Sequence, residues 1–178
     1  HGYLHLSGTA GNYASVPDAA ALDVTGDLTL EVDATIPDIT PATEQTLLSK
    51  YNTLTANRSY QLILKTDSSI RFIVSPDGLY DASNSVTSSS SLGSLGISDG
   101  QRVTIKSTWR QSDGRVQLFV KPNGGSYQQL GADLTANAGS IHSGTADVVV
   151  GAADGGTYGV YIGPIHRAII KDGIDGTP

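Results

Sequence analysis

The sequence predicts an all-β protein built as a two-sheet antiparallel sandwich, and three observations carry that prediction. Short runs alternate apolar and polar residues with a period of two, and no stretch shows the 3.6-residue period of an amphipathic helix. Turns are marked throughout by 21 glycines among many Ser and Thr residues, at the spacing expected of about a dozen short strands. Residues 100–125 read as a paired hairpin. In its first arm Val103, Ile105, Ser107 and Trp109 share one face and Arg102, Thr104, Lys106, Thr108 and Arg110 the other. In the return arm Val116, Leu118 and Val120 alternate with Arg115, Gln117, Phe119 and Lys121. Gln111-Ser112-Asp113-Gly114 lies between, with an Asp-Gly step suited to the positive φ of a tight return. Both apolar faces must point to one side, because antiparallel neighbours share a core.

The remaining elements follow from the same alternation. Residues 3–6 open as a short strand, residues 8–11 turn it into a second at 13–16, and Pro17 and Asp18 end that one. From Asp27, Leu28, Leu30, Val32, Ala34 and Ile36 face one way and Thr29, Glu31, Asp33 and Thr35 the other. Residues 46–50 read as a strand and 51–57 as a polar excursion; 60–64 and 70–74 form a hairpin around 65–69. The Ser-rich stretch 86–96 has little periodicity and is expected to be a surface loop or a weak edge strand. Short strands are expected at 127–130 and 146–151. The run 159–171 closes the chain, with a bend at Gly163-Pro164. The core is expected to include Leu30, Val32, Leu62, Leu64, Phe72, Ile105, Trp109, Leu118, Val149 and Ile169.

Length and composition bound the function. A chain of 178 residues without a linker-like segment fits a single domain over 1–178. It contains no methionine, so we expect a chain without its initiator or a piece of a longer product. Its first residues lack the basic and apolar regions of a secretory signal, and no apolar run approaches the ~20 residues of a membrane span. The absence of cysteine removes disulfides, thiol nucleophiles and zinc-finger patterns. A net charge of −6 and the lack of interleaved aromatics argue against nucleic acid as a partner. Five of the eleven basic residues, Arg102, Lys106, Arg110, Arg115 and Lys121, form a stripe on the hairpin's outer face. The stripe is either a charged face that keeps the sheet soluble or a protein-docking surface with Phe119 as its exposed aromatic anchor.

Three blocks carry a resemblance: NYASVPDAAALDVTGDLTLEVDATI at 12–36, DGQRVTIKSTW with DGRVQLFVKPNGG in the central hairpin, and GPIHRAIIKDGIDGT at the end. Their order and separation resemble the concanavalin A-like, laminin-G-like jelly rolls. LSKYN, RSYQLIL and the Gly-Ile-Asp-Gly-Thr ending resemble such domains in minor tail and other structural virion proteins of tailed actinobacterial phages. Many members carry a Trp-His pair where this chain has Gln101-Arg102, so binding residues do not transfer as a set. The resemblance implies a jelly-roll binding or structural module, with recognition of glycan or protein as its use.

The residues offer little for catalysis. Only Glu31 and Asp33 have the i, i+2 spacing on a strand that a glycosidase pair needs, and they sit among threonines on a face without sugar-stacking rings. Glu44 lies in a Pro-flanked loop, and His1, His5, His142 and His166 have no ligand spacing. Asp77, Asp81 and Asp154 are the calcium candidates, but Asp-Gly in a β-rich chain usually marks a turn, so no cofactor is expected. Tyr51, Asn52, Tyr80, Asp81, Tyr158 and Tyr161 combine aromatic faces with polar groups and are the glycan candidates.

The expected function is thus a non-catalytic virion structural module of tail or capsid surface, located in the virion and held by other virion proteins. Acidic strand 27–36 and the basic hairpin are expected to meet across subunits of a homo-oligomer. The alternative is a lectin-like domain that reads a host cell-surface glycan, and a glycoside hydrolase or lyase is the remote one.

Overall fold

The computed structural model describes residues 2–174. Thirteen strands are present among them: β1 (Leu4–Ser7), β2 (Ala14–Val16), β3 (Leu28–Ile36), β4 (Gln45–Asn52), β5 (Asn57–Leu64), β6 (Ile70–Val74), β7 (Ser85–Thr87), β8 (Gln101–Trp109), β9 (Arg115–Pro122), β10 (Gln128–Gln129), β11 (Leu134–Thr135), β12 (Val148–Val150) and β13 (Ile162–Asp172). Three single-turn 3₁₀ segments are the only helical pieces described. The strands form two antiparallel sheets, ordered β1-β13-β3-β8-β9-β10, with β11 also on β9, and β2-β12-β4-β5-β6-β7. This is the two-sheet antiparallel sandwich that the alternation predicts and the jelly roll that the resemblance implies. The first strand lies on the last, Leu4 opposite Ile165. Part of the Gly-Ile-Asp-Gly-Thr ending, and His1, lie outside the described residues.

The core forms where the inward faces of the sheets meet. Leu30, Val32, Leu62, Leu64, Phe72, Ile105, Trp109 and Leu118 are all buried in it. The central hairpin pairs Trp109 with Val116 and Ile105 with Val120, so its two apolar faces do fall on one side. Gly114 takes φ +70° in the connection, the conformation for which its lack of a Cβ suits it. The Ser-rich stretch supplies the edge strand β7, and the buried Ser88 hydroxyl accepts from the Ile70 amide at 3.0 Å.

Two core expectations are corrected. Ile169 stands opposite Glu31 on the outer face, while Ala168 and Ile170 pack on the core. The reason is a register shift between Ile165 and Arg167: one extra residue in the strand moves every later side chain to the opposite face. In β12, Val148 and Val150 join the main core. Val149 is buried on the other side of the sheet, paired with Ser49.

Candidate functional site

The outer face of the β4-β5-β6 sheet carries a feature that an exposed sheet face does not need. Gln61 and Ile63 of β5, with Arg71 and Ile73 of β6, are the residues whose neighbours Tyr60, Leu62, Leu64, Ile70 and Phe72 enter the core, so they point outward. Tyr51, Ile63 and Ile73 nevertheless form a second buried apolar cluster. They are the floor of a cleft of about 350 Å³, lined in addition by Thr53, Arg58, Gln61, Arg71, Tyr80 and Tyr158. The two wall tyrosines are 56% and 52% exposed, an arrangement that leaves aromatic faces open to a ligand above an apolar floor.

Each wall is held by local hydrogen bonding. Tyr80 follows a turn in which the Ser75 hydroxyl accepts from the Gly78 amide at 3.0 Å and donates to the Leu79 carbonyl at 2.7 Å. Gly78 has φ +84°, and a Cβ there would strike the Ala56 carbonyl. Tyr158 closes a turn through Ala153 N–H to Tyr158 O, 2.8 Å, and Tyr158 N–H to Ala153 O, 3.2 Å. That turn is fastened to β4 by Asp154, whose carboxylate accepts from the Thr53 amide at 2.6 Å and from its hydroxyl at 2.5 Å. The Gly159 carbonyl accepts from the Thr46 amide at 2.6 Å. Both rings are thus presented by pre-formed loops.

Two guanidinium groups polarise the cleft. Arg58 donates to the Thr53 carbonyl at 3.0 Å and the Gly78 carbonyl at 3.3 Å, and lies 5.6 Å from the centre of the Tyr51 ring. Its buried Nε has no hydrogen-bond partner among the described residues. Arg71 makes a two-pronged pair with Glu44, at 2.8 and 3.0 Å. Burial raises the Tyr51 pKa, opposed by the positive charge of Arg58, so this phenol stays neutral and able to donate.

The structure brings together three of the six glycan candidates, Tyr51, Tyr80 and Tyr158. It removes Tyr161, which is fully buried and donates its hydroxyl to the Thr35 carbonyl at 2.8 Å. The Asn52 side chain accepts from Leu54 N–H in its own turn, and Asp81 caps the next 3₁₀ segment through Ser83. Arg58, Gln61 and Arg71 were missed from the sequence. Period-two alternation marks Gln61 and Arg71 as outward-facing but gives Arg58 the parity of the core residues Tyr60 and Leu62; the register shift between the Lys50–Tyr60 and Tyr51–Arg58 pairs brings it to the cleft, and nothing in the pattern tells which outward residues a loop will roof over.

The calcium candidates are occupied otherwise. Asp77 accepts from the Leu79 amide at 2.9 Å, Asp81 from Ser83 and Asp154 from Thr53. Among the described residues no group of three or more His, Asp or Glu side chains is placed to hold a metal ion.

The basic stripe is corrected more strongly. β3 and β8 are neighbours in one sheet, so the acidic and basic residues meet within the chain. Arg102 pairs with Asp33 at 2.7 Å, Arg110 with Asp113, and Arg115 with Asp133 at 3.5 Å. The Arg102 hydrogen bond holds the Asp33 carboxyl below the usual range, against the opposing effect of its burial. Phe119 is only 9% exposed and is no surface anchor. Tyr127 packs against it edge-on and Lys106 sits over both rings, 4.9 and 4.2 Å from their centres, while Lys121 lies over Tyr127 at 4.8 Å. The paired carboxylates considered for hydrolysis are each tied to an arginine, Glu31 to Arg167 at 2.7 Å and Asp33 to Arg102.

No known protein-family profile matches the sequence, and no curated protein matches it. Solved structures do share the fold. The CBM40 domain of the Ruminococcus gnavus IT-sialidase superposes with a TM-score of 0.62 at 16% identity, covering 99% of this chain and 92% of that domain; the same domain is also known bound to α2,3-sialyllactose. The leech intramolecular trans-sialidase matches with a TM-score of 0.66 at 16% identity over 99% of this chain, which spans 26% of that protein. Tailspike protein 2 of the Escherichia coli O157:H7 bacteriophage CAB120 matches with a TM-score of 0.54 at 11% identity, over 95% of this chain and 24% of the tailspike. At these identities the likeness establishes the sandwich.

Proposed function

We propose that the chain is a non-catalytic carbohydrate-binding module that takes a sugar in the cleft lined by Tyr80 and Tyr158. The observation that carries this reading is that two half-exposed tyrosines, Tyr80 and Tyr158, line one cleft with an apolar floor, together with the donors Arg58 and Arg71. Sugar rings present apolar C–H faces and many hydroxyls, so they match an aromatic wall combined with fixed polar groups. The fold it shares with a sialidase domain solved with sialyllactose supports the reading. The arginine pairing of Glu31 and Asp33 supports a binding rather than a hydrolytic role, since neither carboxylate is left to protonate a leaving group.

Binding to a broad glycan array, followed by calorimetry, tests it. Tyr80→Ala and Tyr158→Ala should each weaken the affinity about tenfold or more, the equivalent of about 1.4 kcal/mol, without changing the fold. Absence of glycan binding, or binding indifferent to both substitutions, overturns the reading.

A second reading concerns where the module works. The shared fold with a phage tailspike, and the resemblance to phage tail domains, favour a virion-borne module attached to other virion proteins. The two readings are compatible, a tail-borne domain reading a host-surface glycan. Locating the chain by immunogold labelling of purified particles tests the second, and its absence from particles removes it.

A further inference from the structure

Beyond Tyr158 the surface falls into a second hollow, of about 620 Å³, lined by Gly8, Thr43, Glu44, Tyr158, Val160 and Ile162. Tyr158 belongs to both concavities, so the two adjoin at this residue. The Arg71–Glu44 pair spans the same divide: Arg71 lines the first cleft and Glu44 the second. We infer that the two hollows are successive subsites of one groove, and that the ligand is an oligosaccharide of at least two sugar residues crossing Tyr158. This rests on the carbohydrate-binding reading above.

The chemistry of the two hollows differs in a way that suits adjoining sugars. A guanidinium only donates hydrogen bonds and a carboxylate only accepts them, whereas a sugar hydroxyl does both. The Glu44 and Arg71 side chains are 28% and 25% exposed, so each keeps a face toward its own hollow while the pair fixes both in place. One sugar would thus meet donors from Arg71 and Arg58, and the next an acceptor from Glu44. Ile162 is 48% exposed at the start of β13, with its amide donating to the Gln45 side chain at 3.1 Å. It offers the second subsite an apolar patch for a pyranose C–H face. Both volumes fall within the roughly 300–1,000 Å³ of small-molecule sites, and Tyr158 is fastened where they adjoin, so bridging the two orders little of the protein.

The test uses the full chain on an array of graded oligosaccharides, from mono- to hexasaccharides of glucan, mannan, chitin-type and sialylated galactose series, with calorimetry on the series that binds. Affinity should rise about tenfold or more from the monosaccharide to the di- or trisaccharide. Ile162→Ser and Thr43→Val, both at exposed positions of the second hollow, should return the longer chains to the affinity of the monosaccharide and leave monosaccharide binding unchanged. Tyr80→Ala should weaken every length. A monosaccharide bound as tightly as its longer homologues, or trisaccharide binding untouched by both second-hollow substitutions, overturns the extended groove while leaving the sugar site standing. Failure of every glycan on the array overturns both.

Discussion

At Trp109 the alternation of β8 has its largest consequence. The indole is 1% exposed, and its Nε1–H donates to the Asn137 carbonyl at 2.9 Å, so the ring fills the core and ties β8 to the loop before β12. Trp109→Ala should cost about 3–5 kcal/mol, the usual range for deleting a buried large aromatic; an equilibrium urea midpoint little changed from the parent would place the ring elsewhere. This residue was legible in the sequence because its environment depends only on the parity of its own strand. Phe119 was not: parity put it outward, correctly, but Tyr127 and Lys106 cover it, and a cover that arrives from another strand leaves no mark on β9 itself. Tyr161 failed in the opposite direction. It stands among the glycan candidates of the sequence, yet it precedes β13 with its ring in the core and its hydroxyl satisfied by Thr35.

The strands were largely readable, because each buries one face and period two records which. Their register was not, since the shift at His166 that turns Ile169 outward has no composition signal beyond a nearby Gly-Pro. The β8–β9 connection shows how narrowly such geometry is set. Gly114 has φ +70°, and a Cβ at this position would collide with the carbonyl of Ala136, a residue already held against the turn because its N–H donates to the Gly114 carbonyl at 2.9 Å. Gly114→Ala should therefore destabilise the protein by about 1–3 kcal/mol through backbone strain and displaced chain; an unchanged thermal midpoint would contradict it. β4 supplies a second case. Lys50 is fully buried and its ammonium reaches Asp18 at 2.5 Å, Asp23 at 3.4 Å and the carbonyls of Gly144 and Ala146, drawing two loops onto one strand. Lys50→Met keeps the bulk but leaves carboxylates without their cation, and removing one partner of a buried pair costs about 3–5 kcal/mol. Because Asp18 and Asp23 stay 31% and 22% exposed, water offsets part of that cost, and we expect a loss of about 2–3 kcal/mol in urea unfolding.

Over the whole molecule, the sandwich was legible and the cleft was not, for one physical reason. Tyr51, Arg58, Arg71, Tyr80 and Tyr158 are brought together by sheet pairing and by loops far apart in the chain, and one-dimensional patterns carry no information on such encounters. The same long-range folding settles the charges. Acidic and basic residues that look segregated along the sequence are interleaved across β3 and β8, as Arg102 and Asp33 show, and such pairs act with local hydrogen bonds on the response to acid. The Arg102 hydrogen bond lowers the Asp33 pKa, Ser69 and Ser83 hydrogen bonds lower those of Asp67 and Asp81, and Gln117 and Gln129 lower that of Asp133. The Arg110 guanidinium pulls Asp113 down to about 2. An unfolded Asp titrates near ~3.9, so at acid pH the unfolded chain binds more protons than the native one, and stability rises with pH across that interval. The contribution of these carboxylates is complete above about pH 5, falls as pH drops through ~4, and is last lost near pH 2 as Asp113 protonates. A urea midpoint followed from neutral pH downward should show its carboxylate-linked fall between about pH 4 and 2, and Asp33→Asn should make that fall shallower. A midpoint that is level or rising across the same interval would mean that the native carboxylates titrate no lower than those of the unfolded chain.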